Sequence, residues 1–305
     1  MNIRFNSKAL LVAGLVSIVP AKLCKKQPIK FTNCIVDTVS FASRPVKNIL
    51  VADEFKINDI DINGDILGDV THGFVTSSII EKGLPDAKVV KCDIFPKSGI
   101  DRHYVAEHLD KLFTSVLKKM DEGKKFDAIN LSIGFPVSYE ALSREVNRNL
   151  DTANIAYYAK EVKEILHNKN GNFLINLLPM KEIMSVVDKM DTISAKGTKI
   201  YIAAGNSSDA TFNLLALSDS TNIVGALDRR GRNAIYSDRN TLVNRFENGE
   251  IVSKSVKGGF DFTDDGKPDV AKKETTAFFN FTTPFSTCEG TSFATPRAIV
   301  KDFSK

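Results

Sequence analysis

The chain of 305 residues is long enough for one large domain or two ordinary ones. With 43% hydrophobic and 26% charged residues, its composition is globular, which excludes the disordered and fibrous classes. The net charge of +4 is small, and the lysine pairs are scattered without interleaved aromatic residues. We therefore expect no nucleic-acid-binding surface.

The first 21 residues predict an export signal. Arg4 and Lys8 lie in a positively charged start, residues 9–19 are apolar, and small residues suited to cleavage follow. A buried N-terminal helix or a short anchor is the alternative interpretation, but this apolar run is shorter than the ~20 residues that span a bilayer. We expect a secreted or periplasmic protein with a short N-terminal extension over residues 22–45 and no membrane span in the mature chain.

From residue 46 onward, apolar strand-like runs alternate with helical patterns. The predicted elements in chain order are a strand over 46–52, a helix over 72–82, a strand over 87–95, a helix over 101–122, a strand over 126–133, helices over about 138–168 and 180–196, strands over 198–204 and 222–227, and a helix over 293–303. Strands separated by helices predict one α/β domain over residues 46–305. Its expected architecture has three layers, with helices on both faces of a twisted, mostly parallel sheet.

Polar residues stand at the ends of several predicted elements. Asp53, Ser132 and Asn206 each follow an apolar strand, where parallel sheets bind their ligands. His72 and Ser292 stand near the starts of predicted helices. Taken singly, each residue has a structural interpretation, such as a turn or a helix cap for Ser292. Together they supply the nucleophile, base, orienting acid and oxyanion donor that acyl transfer by a serine requires.

The motifs around these residues resemble those of the subtilisin-like serine proteases, or subtilases. GTSFATP (290–296) is similar to the family's nucleophile motif, and IAAGNSS (202–208) is similar to its oxyanion-asparagine motif. INLSIG (129–134) resembles the strand that pairs with substrate, and His72–Gly73 resembles the histidine motif. The chain order acid, histidine, serine is also that of the family.

The resemblance implies a serine endopeptidase that hydrolyses peptide bonds through an acyl-enzyme intermediate. Ser292 would attack the scissile carbonyl, His72 would act as general base, and Asp53 would orient the histidine. The side-chain amide of Asn206 and the N–H of Ser292 would bind the oxyanion.

The resemblance also implies that the substrate binds as an added strand. The residues that would flank its backbone are Ser132, Ile133 and Gly134. Protein or peptide substrates are the expected partners, a monomer is the expected state, and no cofactor is required. Calcium remains open as a structural ion, because the acidic stretches 58–69 and 261–269 fit either a calcium site or a solvated loop.

Two of the motifs depart from the family pattern. In the acid motif, residues 53–55 read DEF, where a small residue and a glycine usually follow the aspartate. Four further candidates for the acid are Asp59, Asp61, Asp65 and Asp69. Phe74 replaces the usual threonine after His72–Gly73, and Thr76 and Ser77 replace valine and alanine. We expect these changes to alter packing more than chemistry.

The length of the chain departs from the family as well. The long connection after Gly134 predicts a helical insertion over about 138–196. The chain ends soon after Ser292, and Val300 replaces a residue that is usually small, so we weigh a C-terminally truncated domain against an inactive relative. The alternative function is thus a catalytically inactive module that binds peptides or partners. A lipase or esterase is disfavoured because Ser292 lacks the GxSxG motif.

The four cysteines have no spacing typical of a zinc or redox motif. In an exported chain, Cys24 and Cys34 could close a small loop. Cys92 lies in an apolar run and is predicted to be a buried free thiol.

Overall fold

A computed structural model describes residues 47–55, 71–95, 101–168, 178–262, 266–268, 270–271 and 287–304. The predicted export signal, the N-terminal extension and the acidic stretch 58–69 lie outside these residues, as do the four alternative candidates for the acid. None of the helices described has the length and apolar composition that crossing a membrane requires.

The described elements agree with most of those predicted. The strands are β1 (Asn48–Asp53), β2 (Lys88–Asp93), β3 (Ala128–Leu131), β4 (Pro136–Ser138), β5 (Lys199–Ala203), β6 (Thr211–Asn213), β7 (Thr221–Leu227), β8 (Arg245–Asn248), β9 (Glu250–Val252), β10 (Lys254–Val256), β11 (Gly259–Asp261), β12 (Val270–Ala271) and β13 (Thr287–Glu289). The α-helices are α1 (His72–Gly83), α2 (Arg102–Asp121), α3 (Tyr139–Val146), α4 (Ile155–Asn168), α5 (Met180–Ala195) and α6 (Thr291–Phe303).

Within the part of the chain described, the central sheet has six parallel strands in the order β2-β1-β3-β5-β7-β8. The chain runs outward from β1 to β2 and then returns to the other side of β1 with β3. The strand order therefore reverses between β1 and β3, and such a point opens a crevice at the carboxyl ends of the strands. Asp53 ends β1 and Ser132 follows β3, so both stand at this crevice.

The two faces of the sheet bury separate apolar clusters. Along β1, Leu50 and Ala52 belong to the cluster covered by α2 and α5, whereas Ile49 and Val51 belong to the cluster covered by α1 and α6. A strand covered on both faces is apolar throughout, which explains why its sequence is a continuous apolar run. The predicted three-layer α/β fold is confirmed.

Three differences from the predicted elements have local causes. The helix predicted over 138–168 is two helices, because Asn147 takes a left-handed conformation (φ 54°) and ends α3. Helix α6 begins at Thr291 rather than at residue 293. Pro296 is therefore the sixth residue of the helix. The short strands β4, β6 and β8 to β13 were not predicted, since they are too short to display a periodic pattern.

The prediction for Cys92 was wrong. Its side chain is buried, as expected, but its sulfur is in a disulfide bond. The structure does not describe the side chains of Cys24, Cys34 and Cys288.

Candidate active site

Asp53 and His72 form a direct pair at the carboxyl end of β1. The Nδ1 atom of His72, the first residue of α1, lies 2.8 Å from Oδ1 and 2.9 Å from Oδ2 of Asp53. The carboxylate is 1% exposed and the imidazole 31%. Asp53 Oδ1 also accepts the backbone N–H of Glu54 at 2.8 Å. The buried acid therefore fixes the ring of a partly exposed histidine.

The charge of Asp53 controls the protonation of His72. Burial acts to lower the pKa of His72, but the carboxylate charge of Asp53 and its hydrogen bond to the ring outweigh burial. The pKa is raised from its ordinary value, with a smaller contribution from Glu54. The pair therefore stabilises an imidazolium, the form that the ring takes after it has accepted a proton.

The unusual residues of the acid and histidine motifs contact each other. The rings of Phe55 and Phe74 pack edge to face with centroids 5.6 Å apart. Gly73 donates its N–H to the carbonyl of Glu54 at 3.0 Å, and a Cβ atom at position 73 would lie only 2.5 Å from that oxygen. The two departures from the family pattern thus form one contact that joins the end of β1 to the start of α1.

Thr76 contacts the predicted acid directly, which the expected change in packing did not include. Its buried hydroxyl lies 3.1 Å from Asp53 Oδ2 and 3.2 Å from the carbonyl oxygen of Gly73. Its single proton is shared between these acceptors. Thr76 therefore helps to hold the carboxylate that holds His72, whereas the valine usual in the family could not donate a hydrogen bond.

Ser292 is the second residue of α6, preceded by Thr291 and the N-cap Gly290. Its neighbour Phe293 lies against His72, with ring centroids 5.6 Å apart. Between the described residues, the Ser292 hydroxyl donates to the carbonyl oxygen of Ser132 at 3.1 Å rather than to His72. The structure thus brings the predicted nucleophile to the site, with its hydroxyl turned toward β3.

Asn206 lies next to the start of α6. Its Oδ1 atom accepts the backbone N–H of Thr291 at 2.8 Å and the Thr291 hydroxyl at 2.9 Å. A backbone N–H can bond only to the amide oxygen, so the orientation of the side chain is fixed and its NH₂ group faces Gly290. A Cβ atom at position 290 would lie 3.3 Å from Nδ2. The N–H of Ser292 donates no hydrogen bond within the described chain.

Asp238 clamps the loop that carries Asn206. Its Oδ1 atom accepts the N–H and hydroxyl of Ser207 at 3.0 and 2.7 Å, and the N–H of Asp209 at 2.8 Å. Its own N–H donates to the carbonyl of Gly205 at 3.0 Å. Burial raises the pKa of Asp238, and these donors act against that rise. No strand-end signal marks Asp238 in the sequence, since it lies well beyond the end of the predicted strand 222–227.

The predicted substrate segment, 132–134, lies beside the site and is held by Asn213. The Asn213 amide donates to the carbonyls of Ala203 at 2.9 Å and Ile133 at 3.5 Å, and its oxygen accepts the N–H of Phe135 at 3.1 Å. A Cβ atom at Gly134 would lie 2.6 Å from Asn213 Nδ2, so the glycine permits this approach. No sequence signal pointed to Asn213.

Among the residues that the structure describes, no group of three or more His, Cys, Asp or Glu side chains is arranged to hold a metal ion. Of the two acidic stretches in which calcium was considered, 58–69 lies wholly outside the description and 261–269 lies partly outside it.

Comparisons with solved structures found a lanthipeptide protease with 15% sequence identity and a TM-score of 0.46. The match covers 84% of this chain and 72% of the chain of that protease. The match to a prenylagaramide maturation protease (14% identity, TM-score 0.47) covers 83% of this chain and 73% of that one. The match to a cold-adapted subtilisin-like serine proteinase (15% identity, TM-score 0.45) covers 85% of this chain and 76% of that one. No curated protein matched the sequence.

The family comparison covers most of the chain. The sequence matches the model of the subtilase family over residues 63–298. This range contains His72, Asn206 and Ser292 and begins after Asp53, so the support for Asp53 is its hydrogen bond to His72. The chain belongs to the subtilase family of serine proteases.

Proposed function

We propose that this chain is an exported serine endopeptidase that hydrolyses peptide bonds through an acyl-enzyme intermediate. Ser292 is the nucleophile, His72 the general base and Asp53 the orienting acid. The observation that carries the proposal is the bond from His72 Nδ1 to the buried carboxylate of Asp53. It leaves Nε2 as the ring nitrogen available to a serine hydroxyl.

The reaction begins with rotation of the Ser292 hydroxyl from the carbonyl of Ser132 to His72 Nε2. As Oγ bonds to the scissile carbonyl carbon, its proton passes to Nε2, and Asp53 stabilises the resulting imidazolium. The C–N bond then breaks and the leaving amine takes the proton from Nε2. A water molecule, deprotonated by the same nitrogen, hydrolyses the ester and restores Ser292.

The proposed oxyanion donors meet at the start of α6. The proposed donors are the N–H of Ser292 and the NH₂ group of Asn206, which the bonds to Thr291 orient. The N-terminal end of a helix also carries partial positive charge, which favours the developing oxyanion.

The proposed substrates are proteins or peptides that bind in an extended conformation. Their backbone would pair with that of Ser132, Ile133 and Gly134. This role rests on the position of the segment beside Ser292 and on its support by Asn213.

A second candidate function is a catalytically inactive module that binds peptides in the same cleft. The observation that favours it is the hydrogen bond from Ser292 to Ser132, since His72 does not engage the hydroxyl in this structure. In the protease this bond is a resting state, whereas in an inactive module it would be permanent.

Labelling with a fluorophosphonate probe separates the two functions. We expect the folded wild-type protein to form a covalent adduct at Ser292, detectable by peptide mass spectrometry, and we expect Ser292→Ala and His72→Ala to form none. Circular dichroism checks that the variants are folded. A folded wild type that stays unlabelled would contradict the protease and favour the binding module.

Export and ion dependence are separate proposals. The charged and apolar N-terminus and the disulfide bond of Cys92 support an oxidising compartment, because disulfides persist there. The mass of the secreted protein should correspond to cleavage after Ala21.

The proposed chemistry needs no cofactor, so EDTA should leave the labelling rate unchanged. A lower melting temperature in EDTA would indicate a structural calcium ion, and size-exclusion chromatography tests the proposed monomer.

A further inference from the structure

Pro296 removes a hydrogen bond from the start of α6. In an α-helix, each carbonyl accepts the N–H of the residue four positions later. The residue four positions after Ser292 is Pro296, which has no N–H. The carbonyl of Ser292 therefore has no donor within its own helix. A donor from another element can satisfy this carbonyl.

Ser132 supplies that donor. Its hydroxyl donates to the carbonyl oxygen of Ser292 at 2.8 Å across a separation of 160 residues. The amide of Asn130 donates to the same hydroxyl oxygen at 3.0 Å. With this amide donating to the oxygen, the proton of Ser132 is left to point at Ser292. Both Asn130 and Ser132 are buried.

The bonds between Ser132 and Ser292 run in both directions. Each hydroxyl donates to the backbone carbonyl of the other residue, at 2.8 and 3.1 Å. The bond made by the Ser292 hydroxyl must break before Ser292 can reach His72. The bond made by the Ser132 hydroxyl need not break, because it involves only the backbone of Ser292.

We propose that the side chain of Ser132 is a positioning residue, which fixes the backbone of the nucleophile by satisfying the carbonyl that Pro296 leaves without a donor. This inference rests on the proposed function of Ser292. It assigns Ser132 a role separate from the pairing of its backbone with substrate. Without the hydroxyl, the first turn of α6 shifts toward another donor and carries Ser292 away from His72.

The test is a double-substitution cycle with Ser132→Ala and Pro296→Ala. Ser132→Ala removes the donor from β3, and Pro296→Ala returns an N–H to the helix. We expect Ser132→Ala alone to lower kcat for a peptide substrate by about 10- to 100-fold, with little change in KM, because the loss is one of alignment. In the Pro296→Ala background, the same substitution should lower kcat by less than about 3-fold.

Ser77→Ala is the matched control. Its buried hydroxyl donates to the carbonyl of Phe74 at 3.1 Å, and that carbonyl also accepts the N–H of Ser78 in the regular helix. Removing a buried hydroxyl from an already satisfied carbonyl should leave kcat at the wild-type value. The control thus separates the effect of losing a buried hydroxyl in general from the effect of losing the hydroxyl that donates to the Ser292 carbonyl.

The outcomes distinguish the two proposals. An unlabelled, folded wild type overturns the protease function itself. If the wild type is labelled and the kcat of Ser132→Ala equals that of the wild type, only the positioning role is overturned. The positioning role is also overturned if the double variant is as slow as Ser132→Ala, or if it fails to fold, because the restored N–H should replace the lost donor.

Discussion

The candidate site consists of two halves that are built differently. The acid and histidine half joins Asp53 to His72 across 19 residues of sequence, through the end of one strand and the start of the next helix. The nucleophile half joins Ser132 to Ser292 across 160 residues, through β3 and α6. The first half already has the bond that the proposed reaction needs, whereas the Ser292 hydroxyl of the second half must still turn toward His72. The nucleophile half therefore needs a side-chain rotation that the acid and histidine half does not.

The largest expected effect comes from breaking the first half. Asp53→Asn should lower kcat by about 10⁴-fold, because the amide cannot hold the required tautomer of His72 or offset the charge of the imidazolium. Steady-state hydrolysis of a peptide substrate measures this loss. Asp93→Asn is the control, since Asp93 is the neighbour of Asp53 in the register of β1 and β2 and its Oδ1 accepts the N–H of Phe55. A loss below 10-fold in Asp53→Asn would mean that another acid serves His72.

Breaking the second half at the oxyanion donor should have a smaller effect. Asn206→Ala is expected to lower kcat by about 10²- to 10³-fold with KM little changed. Asn206→Asp keeps an oxygen for the bonds to Thr291 but removes the NH₂ donor, so it should lose at least as much activity while α6 remains intact. Nearly full activity in Asn206→Asp would mean that Asn206 acts only as a cap for α6.

The pH dependence sharpens the comparison, because only the first half titrates near neutrality. His72 must be neutral to accept a proton, and Asp53 raises its pKa despite burial. The labelling rate should therefore fall with decreasing pH along a limb centred above the ordinary histidine value of about 6.5. In Asp53→Asn the limb should move to lower pH, since burial then acts without the opposing carboxylate. An unchanged midpoint in this variant would show that another group controls the limb.

Sequence patterns predicted the parts of the site that depend on local order. Continuous apolar runs gave β1, β3 and β5, because strands covered on both faces cannot alternate. Because these strands are parallel, the polar residues that follow them lie at the same edge of the sheet. The small residues around Ser292 predicted a helix start beside a site, although the helix begins two residues earlier because Asn206 satisfies the N–H of Thr291.

Contacts between distant side chains could not be predicted in this way. Phe55 and Phe74 each depart from a family motif, and in the structure the two rings contact each other. Their distance apart in the sequence follows no helix or strand period, so the contact could not be predicted. The hydroxyl of Thr76 and the clamp made by Asp238 depend equally on the distances at which folded elements meet. A sequence identifies such residues as polar, whereas only the fold specifies their partners.

The smallest predicted effect concerns the contact that joins the two halves. Helices α1 and α6 carry His72 and Ser292 at their starts, and they meet again at Gly83 and Val300. A Cβ atom at position 83 would lie 2.4 Å from a methyl group of Val300, so the missing side chain makes room for the larger valine. The unusual residue at position 300 is thus accommodated by a glycine on the neighbouring helix.

Gly83→Ala should therefore reduce the free energy of unfolding by about 1–3 kcal/mol, through crowding against Val300. Alanine ordinarily stabilises a helix relative to glycine, so the sign depends on this contact alone. The double variant Gly83→Ala/Val300→Ala should recover most of the loss, which urea denaturation can measure. Full stability in Gly83→Ala alone would contradict the tight contact. If the variant is destabilised but labels at the wild-type rate when folded, each half keeps its own geometry and the contact between the helices serves stability alone.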